Sequence, residues 1–90
     1  MNNPINEIRK ALKEKKIIIG TENTLKNLKL GKVAKVFLTS NCPDNVKKNI
    51  KHYCKLAKVE AVQLKQPNDE LGALCKKPFS ISVLSVIKGA

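Results

Sequence analysis

Ninety residues bound the chain to one domain with one shared core, and the apolar 42%, spread along its length without a Pro, Gly or Ser linker, argues against intrinsic disorder. Eighteen lysines and arginines against seven acids leave a net charge of +11, which points to a polyanion as partner; the alternative is that the excess serves solubility. No stretch reaches the roughly 20 apolar residues of a membrane span, MNNPINEIRK lacks the apolar centre of a signal peptide, and three scattered cysteines make a poor disulfide framework, so a reducing cytosol is expected.

In chain order, Ile5, Ile8, Ala11 and Leu12 recur at helical spacing after Pro4, which predicts an amphipathic helix from residue 4 to about 15 that ends in the basic EKK. Ile17, Ile18 and Ile19 predict a short strand buried on both faces and closed by Gly20. A second helix fits Thr21 to about Leu30, with Leu25 and Leu28 inward and Gly31 at its C-cap. VAKVFLT, residues 33–39, reads as the second strand.

SNCPDN then supplies polar starters for the clearest helix, with Pro43 at its first position. Val46, Ile50, Tyr53, Cys54 and Ala57 form its inner stripe, and Lys47, Lys48, Lys51, Lys55 and Lys58 its outer face. VEAVQL, residues 59–64, is a third strand; NDELGAL, capped by Asn68, runs as a short fourth helix to about Cys75. KKPF is a loop because Pro78 disfavours helix at Lys77, and SISVLSVI, residues 80–87, alternates as the last strand. Strands alternating with helices predict an α/β domain, a three-layer sandwich with helices on both sides of one mixed, roughly four-stranded sheet.

Two places invite a ligand. Gly20, between a strand and a helix, permits a backbone shape that a larger residue resists and clears space beside the helix start. Free N–H groups and the positive dipole end favour phosphate or a base edge there. Glu22 would repel phosphate yet can accept hydrogen bonds from base amino and imino groups, while Lys26 and Lys29 follow about one turn on, within reach of a backbone. Thr21, Glu22, Asn23 and Thr24 suit a base in folded nucleic acid better than a free nucleotide; the alternative is an ordinary turn with a Thr cap. GTENTLK lacks the second glycine and the Gly-Lys-Ser/Thr ending of a nucleotide phosphate loop.

The second place is KKPFS. Phe37 and Tyr53 fall on core-facing positions, whereas Phe79 stands beside Lys76 and Lys77. It either stacks on an extruded base while the lysines hold phosphate, or opens the core of the last strand. Arg9 is the single arginine, so backbone and shape contacts are expected rather than base reading by guanidinium.

No metal site or cofactor is expected. His52 and Cys54 stand two apart on different sides of a helix, and no pair has Cys-x-x-Cys spacing. Cys54 fits the core stripe, and a lone histidine on a lysine-rich helix is expected in solvent, so nothing here assembles an enzyme.

Taken in order, GTENTLKNLKLGK, IKHYCKLAKVEAVQL, NDELGAL and KPFSISVLSVI resemble, over nearly the whole chain, the L-seven-Ae superfamily of kink-turn RNA binders, and within it the ribosomal L-thirty-e branch of archaea and eukaryotes. The likeness lies in a series: a Gly-x-x-x-Thr/Ser-x-Lys turn, a His/Tyr-Tyr type of pair near a helix end, Glu-Leu-Gly, and a Pro-aromatic loop. It implies an α-β-α sandwich gripping sharply bent RNA. In such relatives the start of the second helix reads the tandem G·A pairs beside the kink, and the loop before the last strand covers the extruded nucleotide. Carried onto this chain, the first group is Gly20, Thr21, Glu22, Asn23, Thr24 and Lys26, and the second is Lys77, Pro78, Phe79 and Ser80. Where the L-seven-Ae branch carries Asn-Glu, this sequence has Glu22-Asn23, so the two side chains are exchanged.

The resemblance further implies a non-catalytic protein of the large ribosomal subunit that stabilises a kink-turn in rRNA beside other ribosomal proteins, cytoplasmic, and a monomer when free. The alternatives are the core of a box C/D-type RNA-guided modification particle or of ribonuclease P, or a protein-interaction module of the same fold.

Overall fold

A computed structural model describes residues 4–88. Along it run α1 (Pro4–Lys13), β1 (Ile17–Ile19), α2 (Thr21–Lys29), β2 (Val33–Leu38), α3 (Asp44–Ala57), β3 (Glu60–Gln63), α4 (Asn68–Leu74) and β4 (Val83–Ile87). The four strands form one mixed sheet in the order β1-β4-β2-β3, with β4 antiparallel to both its neighbours and β2 parallel to β3. The expected α/β class, with helices on both faces of a four-stranded mixed sheet, is the observed one.

Alternation along the central strands divides the core in two. Val36, Leu38 and Val83 point to one face and pack with Leu28 of α2 and Ile50 and Cys54 of α3. Phe37 and Leu84 point to the other and pack with Ile8 of α1 and Leu71 and Cys75 of α4. Because β2 lies between β4 and β3 and is covered on both sides, its Val36-Phe37-Leu38 run is continuously apolar and buried. The strand expected to be buried on both faces, Ile17–Ile19, is instead an edge strand paired only with β4, and its side chains are half-buried.

Each of the four helices ends in a Schellman motif, in which the residue after the last turn adopts the left-handed conformation. Gly31 does so at φ 71, as its place in the sequence predicts. At the other three ends the residue is lysine: Lys15, Lys58 and Lys76, each at φ 57. In α1 the N–H of Lys15 bonds the Leu12 carbonyl at 3.2 Å and that of Lys16 bonds the Ala11 carbonyl at 2.9 Å, which stops the helix at Lys13 rather than near residue 15.

Other boundaries move for long-range reasons. The last strand starts at Val83, not Ser80, because the Ile81 N–H turns aside to the Asn68 carbonyl (3.0 Å) and the side chain enters the core beside α4. Asn68 is the first helical residue rather than the cap. Asn41, from the β2–α3 loop, caps α4 instead: its carbonyl oxygen accepts the Asn68 N–H at 2.9 Å and its amide donates to Asn68 Oδ1 at 3.1 Å. Tyr53, expected in the core, is half-buried where α2 meets α3.

Candidate nucleic-acid interface

Since β1, β2 and β3 run the same way, their C-terminal ends share one edge of the sheet with the start of β4, and α2, α3 and α4 all begin there. Three positive dipole ends thus converge on the edge where open α/β sheets bind ligands. Hydrogen bonds tie its loops together: Gly20 N–H to the Val83 carbonyl at 3.1 Å, Thr39 N–H to the Ser82 carbonyl at 3.1 Å, and Ser40 N–H to the Gln66 carbonyl at 2.9 Å.

The β1–α2 turn depends on Gly20, the residue before α2, whose φ of 103 and ψ of 154 belong to a region that only glycine enters freely. The space around it is open, the nearest atom to an added Cβ being Asn23 Nδ2 at 4.0 Å, so conformation rather than room requires the glycine. Glycine brings no capping side chain, and Thr21 is the first helical residue, not a cap. Among the described residues nothing accepts the N–H groups of Thr21, Glu22 and Asn23, which face outward; the Thr24 N–H closes on the Gly20 carbonyl at 3.1 Å. Asn23 Nδ2 donates to the Ile19 carbonyl at 3.2 Å, leaving its side-chain oxygen free to accept.

Within this set Thr24 is misplaced by the sequence reading. It is fully buried, with Oγ1 at 3.1 Å from Ser85 Oγ on β4, and seats α2 on the sheet instead of facing a ligand. Lys29 is also set apart. It lies two turns from Thr21, with Nζ 5.0 Å from the centre of the Tyr53 ring, a cation–π contact that joins α2 to α3. Glu22 and Lys26 are exposed one turn apart and line, with Leu25, Lys29 and Leu30, a shallow groove along the outer flank of α2.

The loop before β4 carries Lys77, Pro78, Phe79 and Ser80, all exposed, and Phe79 leaves 54% of its surface to solvent. Of the two readings of Phe79, the core one is excluded. The loop stands clear because Gly72 of α4 lets it pass: a Cβ on Gly72 would lie 2.2 Å from the Phe79 carbonyl oxygen. Sequence reading assigned Gly72 no role; the one available signal was that a glycine inside a seven-residue helix costs about 1 kcal/mol against alanine.

The three cysteines are free and buried. Burial pushes their thiols up, that of Cys54 to about 11, so none is a ready nucleophile at neutral pH. His52 is exposed and meets Tyr53 edge-on, with ring centres 5.4 Å apart. Among the described residues no three His, Cys, Asp or Glu side chains come together as a metal site, and no helix is long and apolar enough to cross a membrane.

Comparison with known proteins agrees with this architecture. The model of the family described as "Ribosomal protein L7Ae/L30e/S12e/Gadd45 family" matches residues 5–90. The large ribosomal subunit protein eL30 of Saccharolobus solfataricus is 38% identical over 81 residues, which is 90% of this chain and 75% of that one. Its namesake from Methanothermobacter thermautotrophicus is 35% identical over 79 residues, 88% of this chain and 81% of the relative. Among solved structures, a protein of unknown function from Bacillus halodurans superposes with a TM-score of 0.84 at 20% identity, covering 94% of this chain and 84% of that one. A Giardia lamblia 15.5kD RNA binding protein gives 0.78 at 19% identity, covering 99% and 78%.

Proposed function

The chain belongs to the ribosomal protein L7Ae/L30e/S12e/Gadd45 family, and from that premise we propose that it acts as one domain, monomeric when free, that recognises and stabilises a kink-turn in rRNA. Its relatives are large-subunit ribosomal proteins, and the protein is a non-catalytic, RNA-binding ribosomal component of that kind, at work on the ribosome in the cytoplasm. What supports the finer reading is one observation. The Gly20 N–H bond to Val83 joins the uncapped start of α2 to the strand that leaves the Phe79 loop, so both candidate surfaces open on one edge.

The division of labour follows from the chemistry of each group. The open N–H groups of α2 and the polar atoms of Glu22 and Asn23 address base edges. Lys26, Lys76 and Lys77 supply point charges for phosphates on either side, and Phe79 offers a face on which an extruded base stacks. Donors fixed in advance by the sheet edge fit the bent RNA and not the extended one, and a ligand that binds one state better shifts the population towards it.

Binding should be measured with a kink-turn hairpin and with the same hairpin after its G·A pairs are replaced, at about 50 and about 200 mM salt. Tight binding of the intact kink alone at both salts is expected. Equal binding of both, lost together at the higher salt, would reduce the charge to a nonspecific coat and overturn the reading.

A further inference from the structure

The two helical layers differ in charge. On α2 and α3 six lysines stand against Glu22 and Asp44, whereas on α1 and α4 Arg9, Lys10 and Lys13 are matched by Glu7, Asp69 and Glu70. Most of the imbalance is one row along α3: Lys48, Lys51 and Lys55, all exposed, with the half-buried Lys47 at its start and the exposed Lys58 past the helix end. We propose that this row is a second RNA contact, which holds the phosphate backbone of an A-form duplex separate from the kinked loop at the Gly20 edge. The inference rests on the RNA-binding reading above and extends it to another face of the molecule.

The row works against its own helix. Lys47, Lys51 and Lys55 follow one another at spacings of four, where like charges repel and weaken a helix. Among the described residues none of the five takes part in an ion pair; the pairs present are Lys16 with Glu14 and Lys35 with Glu7 and Glu60, elsewhere on the surface. A solubilising face normally mixes both signs. An anion along the row relieves both the repulsion and the stranded charge.

The choice of duplex backbone follows from what the row lacks. Single strands are held on aromatic platforms, yet on α3 Tyr53 lies half-buried under Lys29 and His52 is engaged edge-on with it. Lysine alone suits recognition by charge and shape, the way duplex RNA is read. By helical rise the row extends roughly 16 Å from Lys47 to Lys58. It starts about one turn into α3 and leads away from the edge where that helix begins, so most of the row lies off the surface at that edge.

The test is the anisotropy of a labelled plain RNA duplex of about 16 base pairs, added to protein already saturated with an unlabelled kink-turn hairpin. The preloaded protein is expected to bind the duplex. Replacing Lys48, Lys51 and Lys55 together by Gln, which keeps helix propensity, should weaken duplex binding at least about tenfold and flatten the log–log salt slope by about 2 to 3. Hairpin affinity should stay within about threefold, the exposed row lying off the Gly20 edge. Lys51→Gln alone should take roughly a third of the slope change, which keeps the test decisive if the triple variant misfolds. Removing equal charge from the opposite layer through Lys10→Gln, Lys13→Gln and Lys15→Gln should leave duplex binding nearly unchanged. Competition between hairpin and duplex, equal loss from both triple variants, or no loss from the α3 variant would overturn the proposal. A protein that ignores the kink yet needs Lys48, Lys51 and Lys55 for duplex overturns the kink-turn reading alone.

Discussion

Phe79 comes from a polar loop and Thr24 from the polar start of α2, and the fold sends them to opposite fates. Phe79 is held out at 54% exposure, whereas Thr24 is drawn fully into the core by a hydroxyl partner on β4. An exposed aromatic contributes little to folding, so Phe79→Ala should change stability by no more than about 0.5 kcal/mol. If the ring stacks on a base, the same substitution should weaken hairpin binding by about 1–3 kcal/mol. A urea titration and a binding isotherm on one variant separate the two roles. Left-handed lysines make a second case. Lys15 sits at φ 57 in the Schellman turn after α1, where a side chain costs about 1–2 kcal/mol, and glycine returns about 0.5–1 kcal/mol of that as lost chain entropy. Lys15→Gly should therefore raise the urea midpoint slightly, a net gain of about 0.5 kcal/mol.

At the level of elements, α4 and the following loop form one device. Gly72 gives α4 its one smooth spot, and the Phe79 carbonyl lies against it. Alanine there would gain about 1 kcal/mol in helix propensity, but overpacking costs about 1–3 kcal/mol, and at 2.2 Å from backbone the clash decides. Gly72→Ala should displace residues 77–80, lower stability and weaken hairpin binding while leaving duplex binding along α3 intact; unchanged hairpin affinity would separate the loop from the site. The same element shows where sequence reasoning ends. α3 and β2 were legible because burial imposed a period on them: Val46, Ile50, Tyr53, Cys54 and Ala57 on one stripe, Val36-Phe37-Leu38 buried on both faces. The Gly20 turn was legible because the conformation demands glycine, and Gly31 for the same reason. The start of β4, the cap of α4 and the burial of Thr24 depend on Asn68, Asn41 and Ser85, partners 13, 27 and 61 positions away, and no local pattern carries such information. Lysine at three left-handed helix ends left no sign either, since lysine is ordinary in a last turn.

For the molecule as a whole, a cationic exterior surrounds a core that holds three neutral thiols. Burial raises the Cys54 thiol from the ordinary 9.0 to about 11, so the native state keeps its proton where the unfolded chain has lost it. That contribution to stability is complete below pH 9 and disappears between pH 9 and about 11. Urea midpoints should fall across that window, and a Cys54→Ala variant, though weaker throughout, should show a shallower fall. Both proposed RNA surfaces rely on the sheet for placement, since β1, β2 and β3 end together and launch α2, α3 and α4 from one edge. The claim that this edge reads the RNA is tested most directly by amide chemical shifts of the labelled protein on addition of a kink-turn hairpin. Shifts should concentrate at residues 20–26 and 76–82. Shifts that spare both segments and fall on α1 or the free edge of β3 would contradict it.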